Sequence, residues 1–184
     1  DVADELGAGY LPQVARNGSG TPRVDSIFDL VRHVSSAPVM AYVNADILLL
    51  PDFLRSVKEI QSLVGRYLVI GQRWDMDVKT PLDFGEGWIG HLQNDVKNRA
   101  TLHVATGSDY FIFPRGEFTD IPRFAVGRAG WDNWMIYAGR RMHMPVVDAT
   151  RSITVIHQNH DYSHLPGGKI HRSQPESLEN IEMM

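Results

Sequence analysis

Three short polar segments, far apart in the sequence, contain residue types that could bind a metal ion and move a proton. Asn44 and Asp46 follow one apolar run, Asp132 lies in a tryptophan-rich turn, and His157 ends a second apolar run. Carboxylate and amide oxygens bind hard cations, and neutral imidazole binds ions such as Mn²⁺. The combination predicts two metal ligands, Asp46 and His157, and a carboxylate base, Asp132.

Each of these segments also has a structural interpretation. The side chains at positions 44 and 46 can cap a turn after a strand, and Asp132 can cap the first backbone N–H groups of a helix. His157 is followed closely by His160 and His164, so His160 is an alternative ligand and a solvated histidine-rich loop fits equally well. The functional interpretation therefore depends on the three segments being taken together.

Four further polar residues are candidates for ligand contacts. Arg16, Asn17 and Arg73 follow the ends of plausible elements, and an arginine can hold a phosphate or a carboxylate with two N–H groups at once. Asp109 enters a predicted strand, where it can accept hydrogen bonds from hydroxyl groups or simply close a turn. These positions suit a site that binds a polar, anionic molecule.

Two tryptophans, Trp131 and Trp134, flank the candidate base at the start of a predicted helix. Indole faces pack on sugar rings, and an apolar wall raises the pKa of a neighbouring carboxyl group by desolvation. The pair therefore indicates a recess in which Asp132 could act on a bound sugar.

The elements that must position these residues follow from apolar periodicity. Helical spacing is found at 23–35, 52–64 and 131–142, and a further short helix is expected at 88–99. Apolar runs predict strands at 38–43, 67–71, 109–113, 146–147 and 153–156. Between 72 and 87 we expect a long loop. The alternation predicts one α/β domain, residues 1–184, with a mostly parallel central sheet flanked by helices. Residues 156–184 are expected to form a flexible tail.

Composition excludes several classes of protein. The chain has 184 residues, 43% of them hydrophobic, and a net charge of -4 without a basic stripe, which argues against nucleic acid as a partner. The absence of cysteine rules out disulfides and suits a cytoplasmic location. No apolar run approaches the ~20 residues of a transmembrane helix.

Taken in order, the segments resemble the GT-A glycosyltransferases, in particular family-two-like enzymes. Residues 15–17 and then Asn44-Ala45-Asp46 look like the family's Ala-Arg-Asn segment and its metal-binding Asp-x-Asp strand end. Gly130-Trp131-Asp132-Asn133 is similar to the acceptor-side motif of Trp-Gly-Gly-Glu-Asp type, and Ile156-His157-Gln158 to the downstream histidine that completes the metal site.

The resemblance implies a Rossmann-like GT-A sandwich, a nucleotide-diphosphate sugar donor, a saccharide or other hydroxyl acceptor, and Mn²⁺ or Mg²⁺ held by Asp46 and His157. Asp132 would be the base of an inverting displacement. Contacts to the nucleotide would come from Arg16, Asn17 and Asn44. The sugar and acceptor pocket would be shaped by Asp109, Trp131, Trp134 and Arg73. The Gly167-Gly168-Lys169 segment would form a lid.

The sequence departs from the family pattern in two ways. Asn44 replaces the first acid of the usual pair, which lowers the charge at the metal. The strands that hold the nucleoside base should precede Ala15, so the fold is expected to be N-terminally shortened, with an open sheet edge that favours a homo-oligomer. A non-catalytic sugar- or nucleotide-binding remnant and a metal-dependent phosphoesterase are the alternative functions.

Overall fold

The computed structural model describes residues 2–161 and 173–184 of the chain. It is a mixed α/β structure that divides into two compact units. The first unit consists of Asp1–Ala37, Phe118–Trp131 and Ile170–Met184, and the second of Pro38–Glu117 and Asp132–Lys169.

The described helices and strands follow one another along the chain. The helices are α1 (Val2–Glu5), α2 (Val24–Val34), α3 (Asp52–Leu63), α4 (Trp88–Arg99), α5 (Trp131–Arg141) and α6 (Pro175–Glu182). The strands are β1 (Val39–Val43), β2 (Ile47–Leu49), β3 (Leu68–Ile70), β4 (Trp74–Met76), β5 (Thr101–Leu102), β6 (Tyr110–Pro114), β7 (Val146–Asp148) and β8 (Val155–Gln158).

The first unit contains α1, α2 and α6. Val24 and Phe28, on the apolar face of α2, are buried, and the Val24 amide donates to the Phe124 carbonyl at 2.9 Å. The fully buried Asn180 of α6 accepts from the Ala125 amide at 2.8 Å and donates to the Ala125 carbonyl at 3.0 Å. Both groups of the Asn180 side chain are thereby satisfied, as a buried amide requires.

The second unit contains two four-stranded sheets, ordered β1-β6-β3-β7 and β2-β8-β4-β5. Among the described strands, β3 pairs with β7 and β4 with β8 in parallel, and the other four pairings are antiparallel. The prediction of a mostly parallel sheet is therefore wrong, while the α/β class is confirmed. The reason is that β6 inserts between β1 and β3, two strands that the alternation of elements would place side by side.

Two apolar clusters hold the sheets of the second unit. Tyr110 and Ile112 of β6 are completely buried in one cluster, together with Val155 of β8. The next residue, Ile156, is buried in the other cluster with Leu92 of α4. The following residue is His157, and alternation along a strand turns its side chain away from Ile156.

Most of the predicted elements are confirmed to within a few residues. The four expected helices correspond to α2, α3, α4 and α5. The loop expected at 72–87 is partly wrong, because β4 lies inside it and pairs with β8. Within the range expected to be a tail, the structure describes the end of β8 and α6, whereas the proposed lid at Gly167-Gly168-Lys169 lies outside the described residues.

None of the helices at 2–161 and 173–184 is long and apolar enough to cross a membrane.

Candidate metal centre

Three side chains of the second unit converge at the ends of two paired strands. Asp46 lies in the turn between β1 and β2, and its carbonyl accepts a hydrogen bond from the Gln158 amide at 3.1 Å. Asp46 Oδ2 lies 3.3 Å from His157 Nε2 and 3.2 Å from His160 Nε2. One ligand atom from each residue falls within 4.8 Å of the others, close enough to share a metal ion.

The chemistry of this group fits a cation. Asp46 Oδ1 is buried and makes no hydrogen bond, although a buried carboxylate oxygen normally has a partner. Burial first, and then the charge of Arg73, lowers the pKa of His157, which keeps its imidazole in the neutral form that binds metals. A carboxylate with two imidazoles is a donor set for first-row transition ions.

Behind His157, a second carboxylate lies in a network of charged groups. His157 Nδ1 lies 3.2 Å from Asp75 Oδ1. Asp75 also accepts a hydrogen bond from Arg73 Nε at 2.8 Å, and its Oδ2 lies 2.7 Å from His103 Nδ1. Burial alone would raise the pKa of Asp75, but the hydrogen bonds from His103 and Arg73 outweigh it and lower the pKa.

Arg73 links this network to Asp109. One guanidinium nitrogen, Nη1, donates to both Asp109 oxygens at 2.7 and 2.8 Å. Asn44 also donates its side-chain amide to Asp109 Oδ1, at 2.7 Å, and its backbone N–H donates to the Asp109 carbonyl at 2.9 Å. The structure thus brings together three residues predicted from sequence, Asn44, Arg73 and Asp109, and joins them to one another.

The candidate base Asp132 is half-buried at the start of α5. A Cβ atom at Gly107 would lie 2.5 Å from Asp132 Oδ2, so a glycine at that position leaves room for the carboxylate. Burial, followed by the charges of Asp109, Asp46 and Asp132, raises the pKa of Tyr42. Trp134, two residues further along α5, is half-buried.

The residue before α5 is a glycine for a steric reason. Gly130 has a φ of 109°, which favours glycine, and a Cβ atom there would lie 2.9 Å from Met184 Sδ within the first unit. Trp131, also assigned to the first unit, is buried. The Gly-Trp-Asp sequence at 130–132 is thus explained in part by the backbone that begins α5.

Arg16 and Asn17, predicted to contact a nucleotide, belong to the first unit and stabilise a loop there. Asn17 Oδ1 accepts from the Ser19 and Thr21 amides at 3.0 and 2.9 Å, and its Nδ2 donates to Glu176 Oε1 at 2.6 Å. Arg16 Nη1 donates to the Gly20 carbonyl at 2.8 Å.

Sequence reasoning missed Asp75 and His103 and ranked His160 below His157. The sequence holds a weak signal for Asp75, because in Trp74-Asp75-Met76 a polar residue lies between two large apolar residues. This is the alternation expected of a strand with one buried face. Three residues are too few for such a pattern to stand out inside a loop rich in turn-forming residues. His103 has no local signal, because its partner Asp75 is 28 positions away.

No protein family model, no curated protein and no solved structure matches this chain.

Proposed function

We propose that this chain is a metal-dependent glycosyltransferase domain of GT-A type, which transfers a sugar from a nucleotide-diphosphate sugar to an acceptor hydroxyl group. The observation that carries the proposal is the convergence of Asp46, His157 and His160. Further support comes from the polar network around Asp109 and from Asp132, which lie in the same unit. The order of the sequence motifs supports the family assignment.

The donor set favours Mn²⁺ over Mg²⁺. Mg²⁺ prefers oxygen ligands and keeps much of its hydration shell, whereas two of the three candidate ligands here are imidazoles. When bound, the cation would neutralise negative charge on the departing nucleoside diphosphate. His157 and His160 would hold it together with Asp46, whose unpaired Oδ1 offers a further donor atom.

Asp132 has the role of general base in this proposal. Its carboxylate would take the proton of the acceptor hydroxyl as that oxygen attacks the anomeric carbon, while the bond from that carbon to the diphosphate oxygen breaks. A single displacement of this kind inverts the anomeric centre. Asp109 and Arg73 would orient sugar hydroxyl groups, and the half-buried Trp134 would pack on a sugar ring.

The remaining parts of the proposal concern partners and location. Asn44 would contact the nucleotide, in exchange for one of its present hydrogen bonds. A cytoplasmic location and a homo-oligomeric state also remain part of the proposal. A non-catalytic sugar- or nucleotide-binding protein is the competing hypothesis.

The first experiment tests the metal centre. Calorimetric titration of the chain with MnCl₂ and with MgCl₂ should show tighter binding of Mn²⁺, and His160→Ala should weaken it. His91→Ala is the matched control, because His91 is an exposed histidine on α4. Equal Mn²⁺ affinity in the wild type and in His160→Ala would remove His160 from the ligand set.

The second experiment tests the reaction. Product formation is measured with a panel of nucleotide sugars and hydroxyl acceptors, together with donor binding. Asp132→Asn should abolish transfer and leave Mn²⁺ and donor binding nearly intact. Asp95→Asn on α4, the matched control, should leave transfer and both kinds of binding unchanged. Donor binding without transfer by the wild type would support the non-catalytic alternative, and full activity of Asp132→Asn would refute the assignment of the base.

A further inference from the structure

The pairing of β4 with β8 places Asp75 beside the candidate ligand His157. The two residues are register partners in a parallel ladder. Paired residues of neighbouring strands extend their side chains from the same face of a sheet, and Asp75 Oδ1 accordingly lies 3.2 Å from His157 Nδ1. This contact is therefore determined by the backbone.

The two ring nitrogens of His157 face different carboxylates. Nε2 lies 3.3 Å from Asp46 Oδ2, on the side of the metal centre, and Nδ1 faces Asp75. His157 is only 4% exposed, and its Nδ1 is buried without a hydrogen bond in the present ring orientation. A buried N–H donor or acceptor of this kind needs a partner, and Asp75 is an acceptor within reach.

Asp75 itself is held in a fixed orientation. Arg73 Nε donates to its Oδ1 at 2.8 Å, and His103 Nδ1 lies 2.7 Å from its Oδ2. Arg73 is in turn held by both oxygens of Asp109. A carboxylate restrained from two sides can restrain the group that it faces.

We propose that Asp75 is a positioning residue for the metal ligand His157, an inference that rests on the metal centre of the proposed function. Its Oδ1 accepts the Nδ1–H of His157 and so fixes the tautomer in which the Nε2 lone pair faces Asp46. Metal-binding histidines commonly donate their second ring N–H to a carboxylate, which orients the ring and makes it a stronger ligand.

The alternative is that Asp75 serves only to pair with Arg73 and His103. Both roles predict some loss of stability when Asp75 is replaced, so stability alone does not separate them. Two other measurements separate the two roles: the affinity for the cation, and which imidazole nitrogen of His157 carries the proton. If Asp75 only formed ion pairs, neither quantity would depend on it.

The first test is Mn²⁺ titration of the folded Asp75→Asn variant by calorimetry. Loss of a carboxylate behind a metal-binding histidine typically costs 10- to 100-fold in affinity, and we expect a rise in Kd of roughly that size. Asp95→Asn, a half-exposed aspartate on α4, is the matched control and should leave Kd unchanged. Asp75→Glu should recover part of the loss. An unchanged Kd in Asp75→Asn would overturn the inference.

The second test needs no variant and therefore stands even if Asp75→Asn fails to fold. Nitrogen-15 spectra of the histidine side chains, recorded for the wild type loaded with diamagnetic Zn²⁺, report which ring nitrogen binds the metal. We expect His157 to bind through Nε2 and to carry its proton on Nδ1. Binding through Nδ1 would overturn the inference.

The two proposals fail in different ways. A wild type that binds neither Mn²⁺ nor Zn²⁺ would remove the metal centre and the role of Asp75 together. A wild type whose cation binding depends on Asp46 but not on Asp75 would remove the positioning role and leave the metal centre in place.

Discussion

Replacing Gly71 with alanine should destabilise the second unit because a buried phenol occupies the space that a Cβ would need. Gly71 follows β3 directly and leads into Gln72 and Arg73. A Cβ at this position would overlap the Tyr110 hydroxyl oxygen and would lie 3.1 Å from both Tyr110 Cζ and the Thr150 amide nitrogen. Tyr110 is completely buried, so its ring cannot move aside into solvent.

The size of the effect follows from the cost of overpacking. Adding a methyl group to a closely packed site typically costs about 1–3 kcal/mol. For a chain of this length, each kcal/mol lowers the thermal midpoint by about 2–4 °C. We therefore expect Gly71→Ala to melt roughly 2–12 °C below the wild type.

A second substitution should reverse most of this loss. The Tyr110 hydroxyl is buried without a hydrogen-bond partner, so Tyr110→Phe alone should be nearly neutral or stabilising. It also removes the atom that the new methyl group would overlap most. The double variant Gly71→Ala/Tyr110→Phe should therefore be markedly more stable than Gly71→Ala, with a coupling energy of about 1 kcal/mol or more.

The assay is thermal unfolding of the four proteins of this cycle, followed by circular dichroism. Gly65→Ala is the control, because a Cβ there would meet no atom within 4 Å. A Gly71→Ala variant as stable as that control, or additive effects of the two substitutions, would refute the steric argument.

Three other predictions concern separate parts of the chain. Burial alone would raise the pKa of Glu176, but hydrogen bonds from Asn17 and other groups outweigh it and lower the pKa below 4.5. The ionised Glu176 carboxylate therefore stabilises the folded state above pH 4.5, and this stabilisation is lost as the pH falls through the folded-state pKa. Thermal midpoints of Glu176→Gln should accordingly fall less steeply with acid than those of the wild type, and parallel curves would contradict this. Gly90 lies inside α4, and a Cβ there would meet no atom within 4 Å. Because alanine favours a helix more than glycine does, Gly90→Ala should raise the free energy of unfolding in urea by about 0.5–1 kcal/mol, and a lower value would contradict this. Gly107→Ala should displace the Asp132 carboxylate and lower the rate of transfer without weakening Mn²⁺ binding, and an unchanged rate would separate Asp132 from catalysis.

The helices could be predicted from sequence because their signal is local. Apolar residues at helical spacing located α2, α3 and α5 within one or two residues at each end. The direction of strand pairing could not be predicted, since it depends on contacts between residues far apart in the chain. Tyr110 of β6, for example, is the register partner of Val43 in β1.

The residues of the candidate site also differ in whether the sequence around them carries a local signal. Asp46 and His157 stand out because polar residues at the ends of apolar runs are visible in the sequence alone. Asp75 and His103 do not stand out, because Asp75 meets His157 only when β4 pairs with β8, and meets His103 only when β4 pairs with β5. Asp109 could be identified from the sequence as a polar residue that precedes a strand. Its pairing with Arg73 could not be predicted, because the two residues are 36 positions apart.

The ligands of the candidate metal centre are far apart along the chain, which affects the folding equilibrium. Asp46 and His160 are 114 positions apart, and bringing such distant residues together costs an unfolded chain loop-closure entropy. A cation would thus bind the folded state in preference, and each tenfold rise in free cation above its Kd would add about 1.4 kcal/mol of stability. In a chain without cysteine, the ion would act as a reversible cross-link, and the protein's resistance to proteolysis would follow the supply of metal.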